Sequence, residues 1–189
     1  MSIVLRDLRA AVQNYLDTHV TVTVSPLTPA VGVTIQPNEP FTFDVTGTNL
    51  SGPDAIKLVN VRYHIWVENP AIAKLVVPTH NPNFNGITYK GWTSTPDVGL
   101  FLVNLPANAE VAEMYLFPPA SGPFPQDKAG DLNPGDSDSI LGLKGKAGPA
   151  AGGGSTQITC RIQADPDLDF LFPKNEDSPT VTQTLTVVG

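Results

Sequence analysis

The chain has 189 residues, 41% of them hydrophobic and 15% charged, with 16 glycines and 19 prolines. That size and balance allow one domain with a substantial core and exclude wholesale disorder. A formal net charge of −7 argues against nucleic acid or an anionic membrane surface as partner, and no run of about 18 apolar residues is present to insert into a bilayer.

The first element is predicted at Ser2–His19, SIVLRDLRAAVQNYLDTH. Leu5, Leu8, Val12 and Tyr15 follow a 3-4-3 spacing, widened by Ile3, Ala11 and Leu16, while Arg6, Arg9, Gln13, Asn14 and Asp17 take the other side. This is an amphipathic helix of about four turns, with Ser2 as its N-cap. A helix so short is marginal in water. Its apolar face is therefore expected to dock, either on the chain's own strands or on another subunit. Arg6, Asp7 and Arg9 interrupt any apolar run, and no small-residue cleavage site follows, so a secretory signal is not expected. The chain as written reads as cytoplasmic; an extracellular or surface location would follow if a signal had been removed or export ran by another route.

From Val20 the period falls from 3.6 to 2 in Val-Thr-Val-Thr-Val, the mark of a strand. Further strands are expected at 31–35, at 41–46 before the turn at 49–53, at 58–68 and at 72–77. In the longest, Val59, Val61, Tyr63, Ile65 and Val67 share one face, and Asn60, Arg62, His64 and Trp66 share the other. Residues 79–97, THNPNFNGITYKGWTSTPD, break the rhythm and read as a long inserted loop. Strands resume at 98–103, 112–117, 137–143, 158–164 and 181–187. The glycine-rich stretch 145–155 reads as a flexible connection, without stable helix or sheet. Eight to ten short strands with turn signals between them predict an all-β fold, an antiparallel Ig-like β-sandwich over 20–189 preceded by a docking helix at 1–19.

Three pieces carry a family resemblance: VTIQPNEPFTFDVTGTNLSGPDAIKLVNVRYHIWV (33–67), DLNPGDSDSILGL (131–143) and STQITCRIQADPDLDFLFPKNEDSPTVTQTLTVV (155–188). Their Pro-x-x-Pro-Phe strand, Leu-x-Pro-Gly-x-Ser turn and closing hairpin resemble bacterial Ig-like domains of the CARDB kind. The resemblance implies the same sandwich, in proteins that are usually exported, multi-domain and surface-borne. The insertion at 79–97 and the leading helix depart from that pattern.

Sequence signals for chemistry are sparse. Cys160 is the only cysteine, which leaves no disulfide and no Cys-based zinc site, and it stands on the apolar phase of a strand where an inert core residue is expected. His19, His64 and His80 lack metal-ligand spacing, so no metal is expected, and no phosphate loop or other cofactor signature is present. The acidic cluster Asp165, Asp167, Asp169, Glu176 and Asp177 has oxygen ligands of the calcium type but reads first as a solvated hairpin. Asn49-Leu50-Ser51 is formally a glycosylation sequon.

No nucleophile–base pair is evident, and the expectation is a chain that is not an enzyme: a binding or structural module acting by surface contacts in a multi-subunit assembly. Its expected contact residues are the helix face Leu5, Leu8, Val12 and Tyr15, the strand face Arg62, His64 and Trp66, and the loop residues Phe84, Tyr89 and Trp92. Aromatic and arginine side chains dominate protein contacts. The partner would be another protein or a second copy. The alternative is a carbohydrate-binding module in which Trp66, Tyr89 and Trp92 stack on sugar rings.

Overall fold

The 3.6-residue spacing of the first segment forms α1 (Ser2–His19), and the Val-Thr alternation starts β1 (Val20–Val24) at the next residue. The computed structural model describes residues 2–25, 34–76, 83–84, 87–88, 91–93, 110–117, 131–149, 153–167, 176–178 and 180–187. The remaining strands are β2 (Pro40–Asn49), β3 (Leu58–Val67), β4 (Ala73–Val76), β5 (Asn83–Phe84), β6 (Ile87–Thr88) and β7 (Gly91–Thr93). They continue as β8 (Glu110–Val111), β9 (Glu113–Phe117), β10 (Ser137–Ala147), β11 (Gly154–Pro166), β12 (Glu176–Asp177) and β13 (Val181–Val187).

Two sheets result. The first runs β1-β2-β10-β4-β8, with β5 also on β10 and β6 on β5; the second runs β12-β11-β3-β9-β7, with β13 also on β11. All these strand pairings are antiparallel, and one isolated parallel bridge joins Ile35 to Val187. Phe41, Phe43 and Val45 of β2 face Val61, Tyr63 and Ile65 of β3 and Ile158, Cys160 and Ile162 of β11 in one buried core. The fold is the antiparallel β-sandwich with an N-terminal helix that the alternation predicts.

Two turns show why the chain reverses where it does. Pro37-Asn38 and Pro134-Gly135 each place proline ahead of a residue with positive φ, 64° at Asn38 and 87° at Gly135. The closing bonds run from Glu39 N–H to Gln36 C=O (3.0 Å) and from Asp136 N–H to Asn133 C=O (3.0 Å). Proline sets φ at the second position and a left-handed residue completes a type II turn. Gly47 is required for a different reason. A Cβ there would overlap Ile162 and the Tyr63 hydroxyl, whose ring crosses from the second sheet to donate to Asp138 C=O at 3.0 Å.

The sequence reading is corrected in two segments. The 145–155 stretch is not all loop: β10 runs through Ala147 and β11 starts at Gly154. The glycines there fit the packing, since a Cβ at Gly145 would overlap the Phe41 ring. Nor is 79–97 one irregular loop. Its strands divide between the sheets, with Phe84 paired to Ile140 of the first and Trp92 to Leu116 of the second. The strand expected at 98–103 lies outside the described residues.

The helix packs on its own sandwich. Val12 is 3% exposed and Leu16 fully buried, and both belong to the same core as the strands, as does Tyr15. Val12 and Tyr15 are thus corrected as partner contacts, because the chain's own strands cover them. Leu8 is half-buried; the side chain of Leu5 lies outside the described residues. The Tyr15 hydroxyl accepts from Ile56 N–H (2.7 Å) and lies 3.1 Å from Asn49 Oδ1. Asn49 Nδ2 donates to Ile56 C=O (2.8 Å) and Leu132 C=O (3.0 Å). Asn49 is itself fully buried, so its sequon is closed to modification in the folded chain.

Candidate recognition surface on the second sheet

The outer face of the second sheet gathers polar and aromatic side chains from three strands. Register sets their rows: Trp66 stands between Thr159 of β11 and Glu113 of β9, His64 between Arg161 and Tyr115, and Arg62 beside Gln163. Side chains directly opposite on antiparallel strands are close enough to interact.

His64 is 5% exposed, which corrects its expected place on an open recognition face. Arg161 Nε–H donates to His64 Nδ1 at 3.0 Å. A guanidinium only donates, so Nδ1 is the acceptor and, in the neutral ring, Nε2 carries the proton. That Nε2–H donates to Glu113 Oε1. Both imidazole nitrogens are used, so His64 positions a cation and a carboxylate from the two neighbouring strands.

Trp66 lies beside this pair and stays half-buried. Its ring is 4.4 Å from the His64 ring, tilted by 34°, and the Arg161 guanidinium carbon is 5.4 Å from its centroid. The indole N–H donates to Glu68 Oε1 at 2.7 Å, and the same oxygen accepts from Thr159 Oγ1 at 3.1 Å. Arg62 Nε–H donates to Gln163 Oε1 at 2.7 Å. The aromatic ring is fixed before any ligand arrives, which lowers the entropy lost on binding.

The other expected contact residues do not join this surface. Trp92 stands in register with Leu116, and Leu116 with Tyr63, a different row from the one that holds Trp66. Phe84 belongs to the first sheet, the side chains of Phe84 and Trp92 lie outside the described residues, and so does Tyr89. Glu113, Arg161 and Glu68 were missed by the sequence reading. Only the i, i+2 spacing of Trp66 and Glu68 was a local signal, since the others come from strands distant along the chain.

Packing and pairing account for Cys160 and Lys57. Cys160 is buried, and burial pushes its thiol up, away from a reactive thiolate. Lys57 Nζ lies 2.5 Å from Asp131 and 3.9 Å from Asp167, and its hydrogen bond to Asp131 raises it above the ordinary lysine value. Among the described residues, no group of three or more His, Cys, Asp or Glu side chains is placed to hold a metal ion. Nor, among those residues, is any helix long and apolar enough to cross a membrane.

The class defined by this geometry is an antiparallel β-sandwich with an N-terminal docking helix. No protein-family model and no curated protein matches the chain. Among solved structures it is similar to AvmM, which catalyses macrocyclization in alchivemycin A biosynthesis, at 12% identity and a TM-score of 0.49, over 90% of this chain and 89% of that one. It is also similar to a protein from Corynebacterium diphtheriae described as membrane-anchored (9%, TM-score 0.43, 92% of this chain) and to the BspA variant BspA_C_mut (11%, TM-score 0.39, 86% of this chain). The chain spans 36% and 45% of the length of those two. The expectation that the chain is not an enzyme is withdrawn, because AvmM is one. No residue role or activity transfers at that similarity.

Proposed function

We propose that the chain is a binding or structural module that works by surface contact in a larger assembly, with the outer face of the second sheet as its contact surface. The observation that carries this reading is Trp66, a half-buried ring held by Glu68 and flanked by Arg161 and His64. Tryptophan and arginine supply most binding hot spots, and a fixed ring loses little entropy on contact. In this reading the helix is part of the scaffold. The finer likeness to bacterial Ig-like domains of the CARDB kind fits such a module and belongs to the same proposal.

A second reading, carbohydrate binding, is favoured by the same fixed indole, because a sugar ring stacks on an immobilised aromatic face. Trp66 alone carries it, without the Tyr89 and Trp92 platform expected from sequence. The test compares the full chain with its Trp66→Ala variant for photo-cross-linking from the second sheet and for depletion by insoluble polysaccharides. Loss of cross-links in the variant supports assembly, and Trp66-dependent depletion supports the sugar reading. Contacts that ignore Trp66 sink both.

A further inference from the structure

A separate cleft lies on the flank of α1. The helix, Asp54, Ile56 and Pro166 border an open cleft of about 350 Å³, within the usual range of small-molecule sites. Leu8, Ala11, Ile56 and Pro166 give it apolar walls, and Tyr15 and His19 line it with rings stacked at 4.4 Å and 4°.

Its polar side chains are Asn14, Tyr15, Thr18, His19 and Asp54. The Thr18 hydroxyl donates to Asn14 C=O at 2.7 Å, so at its 2.8 Å contact with His19 it accepts from Nδ1–H. In the neutral ring that assignment leaves His19 Nε2 as an acceptor. Asp54 adds a carboxylate, and among the described residues neither it nor His19 Nε2 has a hydrogen-bond partner. The Tyr15 hydroxyl is already bonded to Ile56 and Asn49. Two acceptors beside apolar walls, on a chain of net charge −7, call for a cation that carries its own donors.

We propose that this cleft binds a small organic ammonium with an apolar or aromatic body. The proposal is independent of the second-sheet surface. It is tested by NMR titration of the full chain with phenethylammonium, against 3-phenylpropionate as an anion of similar shape. Phenethylammonium is expected to shift the resonances of Ala11, His19 and Asp54 and to saturate at about millimolar concentration. Asp54→Asn, an exposed change, should weaken it about three- to fivefold, the range of a solvent-exposed charge pair. Ala11→Trp, which fills the cleft, should abolish binding with the fold intact. Equal affinity for 3-phenylpropionate, an Asp54→Asn variant that binds as tightly, or no shift at all would overturn the proposal.

Discussion

Tyr15 has one hydroxyl proton and two acceptors in reach, Ile56 C=O at 3.0 Å and Asn49 Oδ1 at 3.1 Å. Ile56 N–H donates to the hydroxyl, and Asn49 Nδ2 donates to the same Ile56 C=O, which has a second lone pair for the tyrosine. Tyr15→Phe keeps the ring but leaves the Ile56 N–H without its acceptor and removes the donor shared by Ile56 C=O and Asn49 Oδ1. A loss of about 1–3 kcal/mol is expected, read as a lower urea midpoint at unchanged slope. An unchanged midpoint would show that water replaces the hydroxyl. The sequence placed Tyr15 on the apolar face of the helix and said nothing of this network, because Asn49 and Ile56 lie 34 and 41 residues away. His64 was misread for the same reason. Its alternation puts it on the outer face, and only the pairing of β3 with β11 and β9 reveals the Arg161 and Glu113 that cover it.

At the scale of elements, the boundary between α1 and β1 was legible because the period changes at a single residue. The length of β10 was not. Its register slips between Ile140 and Leu143, where Gly142 takes a φ of 68° and its N–H donates to Asp44 Oδ1 at 2.7 Å. The bulge lets Ile140 and Leu143 both face the core at a spacing of three, so simple alternation fails there. Helix α1 docks by burying Val12, Tyr15 and Leu16 on the chain's own core. Leu16→Ala should therefore cost about 2–5 kcal/mol and leave the mass in solution unchanged. A fall in mass without loss of stability, measured by sedimentation beside thermal melting, would instead make the helix an assembly handle.

The whole molecule responds to pH through groups that folding holds protonated. Burial pushes up the Tyr63 hydroxyl, with the Asp138 charge adding to it, and burial alone pushes up the Cys160 thiol. The hydrogen bond to Asp131 raises Lys57. All three folded values lie above the unfolded ones, so their contribution is complete below the unfolded values and is lost as pH rises toward the folded ones. The melting temperature should hold near pH 7–8 and fall above about pH 9, where an unfolded thiol and then a phenol ionise. Cys160→Ala should melt lower at neutral pH, from the cavity it leaves, yet fall less between about pH 8 and 10. An equal fall in both proteins would remove Cys160 from the account.

At this same scale, composition and alternation sufficed for the two-layered sandwich, whereas the candidate surface depends on which strands become neighbours. Its central claim is that contact runs through the Trp66 face and not through the opposite sheet. Site-directed photo-cross-linking tests it most directly, with the probe at exposed Thr182, in register with Thr159 beside Trp66, or at exposed Thr21 on the first sheet. The account predicts adducts from Thr182 that disappear in the Trp66→Ala background, and none from Thr21. Adducts from Thr21 alone, adducts indifferent to Trp66, or none from either position would contradict it.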